Sequence, residues 1–351
     1  MVSRGWPASD HRAGLGKPAV ASALRVLFIG GSGIISSACC RLAVRRGVDL
    51  YALNRGATQL RALPAEVTIL HGDVRDPGSV RDALGGLEFD VVVNWVAFTQ
   101  DHIEADLELF RGKISQYIFI SSASAYQTPP ARVPVTESTP LSNPYWHYSR
   151  DKIACEDRLV RAYREEGFPA TIIRPSHTYD RTSVPSYAGW TLVERMRQGK
   201  EVIVQGDGTS LWTLTHSDDF AKGFVPLLGN TRTIGEAFHI TSDDVLTWNQ
   251  ITMILAKAAG VEAKIIHVPS HVIAAADPDW GDALLGDSAH SLIFDNSKLR
   301  SVVPDYVATI TLEQAAPEII AWHDQDPSRR RVDADLDALM DKLSAEFREW
   351  S

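Results

Sequence analysis

Cysteine is scarce in this chain: only Cys39, Cys40 and Cys155 among 351 residues. Two of them adjoin, and none has a Cys-x-x-Cys or other zinc spacing, which argues against a disulfide framework and a cysteine-held metal. The thiols are expected to be reduced, buried and structural, in a cytoplasmic protein with no metal site. Long apolar runs are missing too, since no stretch approaches the ~18 residues of a membrane span. Basic charge is in deficit: 35 Lys and Arg face 44 Asp and Glu, a net charge of −9. A phosphate-backbone partner needs a basic footprint, so no nucleic acid is expected. The first 24 residues lack the apolar stretch of a secretory signal and read as a disordered leader. What is present, 44% hydrophobic and 23% charged residues, is an ordinary globular composition, long enough for one large or two ordinary domains.

From residue 25 short β-rich runs alternate with helical segments. Arg25–Ile29, Asp49–Leu53, Val67–Leu70, Asp90–Asn94, Gln116–Ser121 and Ala170–Arg174 are mostly continuous apolar runs, as expected of strands covered on both faces. Helix-compatible segments lie near 77–85, 101–111 and 144–166. This alternation predicts an α/β fold with a parallel, doubly wound sheet. Asn143 and Pro144 suit a helix start, and Gly167-Phe168-Pro169 ends the same segment. Tyr148 and Lys152 then stand at i and i+4 on one helix face. Beyond Arg174 the regularity weakens, and helical stretches near 187–199, 247–259 and 311–323 suggest a smaller second domain.

The first strand runs into Gly30-Gly31-Ser32-Gly33-Ile34-Ile35-Ser36. Glycines between a strand and a helix allow a tight turn and bring helix N-terminal amides against a pyrophosphate. A plain strand-helix turn is the competing reading. The second strand ends in Asn54-Arg55-Gly56, where an acidic residue would bind a ribose hydroxyl and repel a 2′-phosphate. Neutral Asn54 and cationic Arg55 favour NADP and leave NAD open. After the third strand Asp73 suits an adenine amino group, or a cap on the next turn.

The glycine turn, Ser121-Ser122-Ala123-Ser124-Ala125-Tyr126, Tyr148-xxx-Lys152, Arg174-Pro175-Ser176-His177-Thr178-Tyr179 and Gly206-Asp207-Gly208 through His216-Ser217-Asp218-Asp219 occur in that order. Together they resemble the extended short-chain dehydrogenase/reductases, the epimerase/dehydratase-like family of nucleotide-sugar enzymes, over about residues 25 to 325. The resemblance implies a Rossmann-type domain over 25–177, with segments near 214–242 returning to it. A mainly substrate-binding domain would follow over 178–325, and a linker and helix over 326–351. It implies a catalytic set of Ser122, Tyr148 and Lys152. Cofactor would be held by Gly30, Ser32, Gly33, Ile34, Ile35, Asn54, Arg55, Asp73, Val74, Ala97, Tyr148, Lys152 and Pro175. Substrate would meet Phe98, Thr99, Ser124, Trp146, His177 and Trp212. Members are often dimers, so a homodimer is expected.

These residue types suit hydride transfer. A phenol acting as base near neutral pH needs its pKa lowered by roughly three units, about 4 kcal/mol of differential stabilisation. Lys152 and an oxidised nicotinamide carry charge of the required sign. Ser122 would hold the reacting oxygen.

Departures from the family pattern redirect the substrate assignment. Ser36 occupies the third glycine position, and Asp180 follows the tyrosine of RPSHTY. His177, where relatives often carry Asn, is either structural or at the substrate. Trp212 stands where nucleotide-sugar enzymes place a diphosphate-gripping Arg, and 280–291 (WGDALLGDSAHS) contains no Arg. A diphosphate without cationic partners binds poorly. Trp212 either fills core or, with Trp146, Trp190 or Trp280, offers an aromatic platform. The expected substrate is therefore a sugar-like or cyclitol-like polyol rather than a typical nucleoside-diphosphate sugar. Ala123 and Ser124 replace the acidic pair of 4,6-dehydratases, so epimerisation, alcohol oxidation or ketone reduction is expected. The Asn-Arg-Gly segment and altered glycine turn are also similar to RNA-binding chloroplast stem-loop-binding relatives, against which the acidic charge speaks. A redox sensor without turnover is a third reading.

Overall fold

The computed structural model describes residues 23–56 and 60–348; most of the predicted leader lies outside them. Its strands are β1 (Arg25–Ile29), β2 (Asp49–Asn54), β3 (Thr68–His71), β4 (Val91–Asn94), β5 (Gln116–Ile120), β6 (Ala170–Pro175), β7 (His177–Tyr179), β8 (Glu201–Gln205), β9 (Leu211–His216), β10 (Ala237–Ile240), β11 (Val245–Thr247) and β12 (Lys264–Val268). The α-helices are α1 (Ile34–Arg45), α2 (Pro77–Leu84), α3 (Gln100–Phe110), α4 (His147–Glu166), α5 (Trp190–Arg197), α6 (Ser217–Phe224), α7 (Trp248–Ala258), α8 (Ser270–Ala276), α9 (Pro278–Ala283), α10 (Ser297–Val302), α11 (Leu312–Asp324) and α12 (Ala334–Phe347).

Seven strands form one parallel sheet in the order β3-β2-β1-β4-β5-β6-β10. Successive side chains of a strand point to opposite faces, and both faces are apolar here. Leu27, Ile29, Tyr117 and Phe119 pack with Ile103 and Leu107 of α3 and Leu159 of α4. Val26, Phe28, Ile118 and Ile120 pack with Ala38, Cys39 and Cys40 of α1 and Phe220 and Phe224 of α6. Each large apolar side chain so buried contributes about 2 kcal/mol of transfer free energy. All three cysteines are free and buried. The edge strand β3 departs from expectation: Ile69 is 40% exposed, so this apolar run is not covered on both faces.

Strand order reverses between β1 and β4, which opens a crevice beyond their carboxyl ends, the usual ligand position of such sheets. The rest of the chain builds a second core from α5, β8, α7, β12, α11 and α12. Residues 334–347 are no appendage to it. Leu336, Met340 and Leu343 enter that core, and Asp337 accepts from buried Arg195 at 2.5 Å. Among the described residues no helix is long and apolar enough to cross a membrane.

Helix α4 begins later than the sequence suggests, at His147, with Trp146 at its N-cap. Asn143 and Pro144 precede it, and Asn143 closes the turn by accepting from the Tyr145 and Trp146 amides at 3.2 and 3.0 Å. Tyr148 therefore lies in the first turn, near the helix's positive end. Gly167, with φ +66°, ends the helix as expected. Within the helix Glu156 is fixed to Arg174 of β6 by a buried pair at 2.5 Å, and Ser121 donates to Glu156 at 2.5 Å.

Candidate active site

The crevice holds the glycine turn. Gly30 has φ +90°, and a Cβ there would sit 2.6 Å from Val96 Cγ1, so only glycine fits. Gly33 caps α1, and its amide donates to Ser36 Oγ at 2.8 Å. Ser36 is thus a capping acceptor, a use a third glycine could not serve. Gly30, Ser32, Gly33, Ile34 and Ile35 line a cleft of about 1300 Å³ with Asn54, Arg55, Arg61, Val74, Arg75 and Phe98. Asn54 also supports the turn, its side-chain oxygen accepting from the Gly31 amide at 3.0 Å.

Two of these cleft residues, Arg61 and Arg75, were not anticipated from sequence. Arg75 donates to the Val96 carbonyl at 2.8 Å and lies 5.8 Å from the Phe98 ring. Arg61 pairs with Asp180 at 2.6 Å, tying the sheet's edge to the segment after β7. Phe98 faces this cleft rather than the substrate chamber assigned to it. Asp73 does not line the cleft; its carboxylate caps the following turn by accepting from the Arg75 amide at 2.9 Å. Thr99 is the N-cap of α3, occupied with His102 Nδ1 at 3.2 Å, and faces no chamber.

Next to the cleft, with Thr178 lining both, is a chamber of about 260 Å³. Ser122, Ser124, Trp146, Tyr148, Pro175, His177, Trp212 and Asp287 contribute to its wall. Pro175, expected to contact cofactor, borders this chamber beside Tyr148. Ser122 and Tyr148 share this wall, where the Ser122 hydroxyl favours the phenolate. Ser124 supports Ser122 at 2.8 Å and accepts from Ser149 at 2.8 Å. Lys152 donates to the Ala97 and Ile120 carbonyls at 2.7 and 2.8 Å, and Ala97 acts through that carbonyl.

Electrostatics here run against the simple expectation for the phenol. Burial pushes Tyr148 up to about 12, with Ser122 opposing, and Lys152 does not pull it down. The ammonium lies 5.7 Å from the Tyr148 ring centre, committed to two carbonyls. Burial also lowers Lys152 to about 8. These shifts share one cause, the loss of water around both charged forms.

Past this chamber is a second, of about 350 Å³, within the C-terminal core. Trp146, His177, Trp212 and Asp287 line both. Trp248, Trp280 and Tyr187 wall the inner one, with the Trp280 and Tyr187 rings stacked at 5.1 Å. Trp190 belongs to no platform; it stacks on His323 at 4.6 Å. Tyr145 and His147, the neighbours of Trp146, point outward, His147 toward Asp151 at 3.3 Å. Neither chamber has a Lys or Arg in its lining.

Residues 26–241 match the model described as NAD dependent epimerase/dehydratase family. The chain belongs to this family. It is 28% identical over 256 residues to the chloroplast stem-loop binding protein of 41 kDa b of Arabidopsis thaliana, covering 69% of this chain and 65% of that protein. It is 27% identical over 168 residues to UDP-glucose 4-epimerase of Lactobacillus helveticus, covering 43% of this chain and 51% of that protein. The matched region thus spans less than two thirds of either relative. Among solved structures, UDP-glucose 4-epimerase from Bifidobacterium longum in complex with NAD+ and UDP superposes with a TM-score of 0.70 at 19% identity, covering 87% of this chain and 99% of that one. Epimerase Mth375 from Methanothermobacter thermautotrophicus gives 0.70 at 16% identity, covering 88% and 94%. These last two establish likeness of fold.

Proposed function

We propose that this family member is an NAD(P)-dependent epimerase or oxidoreductase. It would transfer hydride at a secondary alcohol or ketone of a small sugar-like or cyclitol-like molecule that is not a nucleoside-diphosphate sugar. The observation that carries the reading is the junction at Thr178. There the cleft with the glycine turn adjoins a chamber presenting Ser122 and Tyr148.

The cleft's residues fit a dinucleotide. Gly30 leaves room for close approach, the first turn of α1 faces the cleft, and Arg55 is exposed at its rim. Bound there, the oxidised nicotinamide supplies a hydride acceptor and a positive charge. Tyr148 would exchange the hydroxyl proton at its phenolic oxygen. Its place in the first turn of α4 favours the phenolate, which must overcome the upward push of burial. Ser122 would hold the reacting oxygen, and Lys152, braced by two carbonyls, sets the wall beneath Tyr148. Arg55 with neutral Asn54 supports NADP over NAD.

Against a diphosphate stands the composition of the two chambers, which offer aromatic rings and Asp287 but no cation. Ala123 and Ser124 supply no carboxyl for water elimination, which supports epimerisation or simple redox chemistry over 4,6-dehydration. The decisive experiment is substrate-dependent change in nicotinamide absorbance, screened over non-nucleotide sugars and cyclitols. Strong thermal stabilisation by millimolar UDP- or dTDP-sugars would refute the substrate reading. The stem-loop-binding relative motivates a second reading, RNA binding, for which a gel shift is the test.

A further inference from the structure

The backbone on either side of Asp287 is held by side chains from distant segments. Asn143 Nδ2 donates to the Gly286 carbonyl at 2.6 Å while also donating to the Ser124 carbonyl at 2.9 Å. Thr128 donates to the same Gly286 carbonyl at 3.3 Å. On the other side, Trp248 Nε1 donates to the Ser288 carbonyl at 3.0 Å, with Gln205 at 3.4 Å. A Cβ at Gly286 would lie 2.6 Å from Trp146 Cβ, so the segment presses directly on the start of α4. These bonds clamp Leu284–Ser288 as a π-helical turn, a conformation that occurs mostly as single turns and often at functional sites.

All this fixing presents a carboxyl that has no hydrogen-bond or ion-pair partner among the described residues. Asp287 lines both chambers, with Trp146 and Trp212 at the same boundary. The Asp287 side chain is half-buried and opens on both chambers, so a ligand there would supply the partner that the protein does not. The other titratable groups facing these chambers are Tyr148 from α4, His177 from β7, and Tyr187 and Asp279 around the inner one. Burial lowers His177 to about 4, leaving it neutral near pH 7. No protein cation therefore competes for Asp287, and the surrounding tryptophan faces attract positive charge.

We propose that Asp287 receives a protonated amine of the substrate, so that this site acts on an amino-substituted polyol such as an aminosugar or aminocyclitol. The inference deepens the proposed hydride-transfer site and rests on it only for the word substrate. An ammonium would meet both the carboxylate and the tryptophan faces at this boundary. Burial holds Asp287 up to about 8, so the empty site is mostly protonated near neutrality. Ammonium binding then drives off the Asp287 proton. Affinity for a permanently charged alkylammonium should rise with pH up to about that value and then level.

The test uses cyclohexylammonium and its neutral isostere cyclohexanol with the full chain and with Asp287→Asn, read by titration calorimetry. Expected are at least about tenfold tighter binding of the ammonium, equivalent to ~1.4 kcal/mol, and proton release on binding. Asp287→Asn should abolish this preference and leave cyclohexanol affinity unchanged. Equal or tighter cyclohexanol binding, a preference surviving in Asp287→Asn, or no ammonium binding would each overturn the proposal. Asp287→Ser, alongside cofactor binding as a check of folding, guards against a damaged variant. Because the titrations are run without nicotinamide, neither probe is turned over, and failure here leaves the redox reading standing.

Discussion

The cofactor cleft and the paired chambers adjoin at Thr178 yet are built from opposite materials. The cleft uses backbone and guanidinium: a glycine turn, the first turn of α1, and Arg55, Arg61 and Arg75. The chambers use aromatic rings, a neutral imidazole and a carboxyl. In a family with nucleotide-sugar members, two diphosphates would need cations on both sides. Here every cation lining these cavities is on the cleft side. The difference supports the proposal that the one polyanion belongs to the cofactor and that the chambers take a neutral or cationic molecule.

The sharpest way to separate the regions is Tyr148→Phe. It should lower kcat on the order of 10²–10⁴-fold, the usual contribution of positioned acid-base catalysis. The cofactor Kd should not change, because the glycine turn and Arg55 are untouched. Undiminished turnover would remove Tyr148 from the mechanism.

Next in size is the brace beneath both regions. Arg174 and Glu156 are 6% and 2% exposed, and removing one partner strands a buried charge. Arg174→Met should cost about 3–5 kcal/mol of stability by denaturant unfolding. Adding Glu156→Leu should restore much of it, since the stranded charge is then gone. A single variant as stable as the parent would mean that water reaches Glu156.

The chambers have a pH signature of their own. The folded-state pKa of Asp287 is raised to about 8, so between its ordinary value and 8 the folded state binds more protons than the unfolded. Stability contributed by this group is therefore present at low pH and lost as pH rises toward 8. Asp287→Asn should gain relative to the parent by up to ~4 kcal/mol from about pH 5 to pH 8. Parallel stability curves would show the carboxyl to be well solvated.

Legibility in the sequence divided along the same line. All six early strands and the glycine turn could be read because parallel strands are mostly continuous apolar runs and Gly30 meets a local steric demand. Trp146, His177 and Trp212, read as substrate contacts, line the chambers because their motif positions sit at strand and helix ends. Asp73 and Thr99 could not be assigned from sequence because Asp and Thr at such ends serve equally as caps, the role both take here. Asp287 gave no signal, since its placement depends on bonds from Asn143, Thr128 and Trp248, far away in sequence. Asn143 looked like a helix cap for the same reason.

The smallest effect tests the cleft alone. Arg55 is exposed at the rim and has no ion-pair partner among the described residues, whereas Arg61 is held by Asp180 and Arg75 by a carbonyl. A 2′-phosphate on the adenosine ribose would therefore meet a guanidinium free to turn toward it. Arg55→Ala should weaken NADP binding about tenfold, one exposed charge-assisted contact, and the loss should shrink at high salt. NAD binding should stay level, because a ribose hydroxyl makes no comparable demand on a cation. If the unmutated protein binds NAD more tightly, the preference for NADP fails. The contrast between cationic cleft and cation-free chambers then rests on the pyrophosphate alone, which backbone amides at α1 can hold without Arg55.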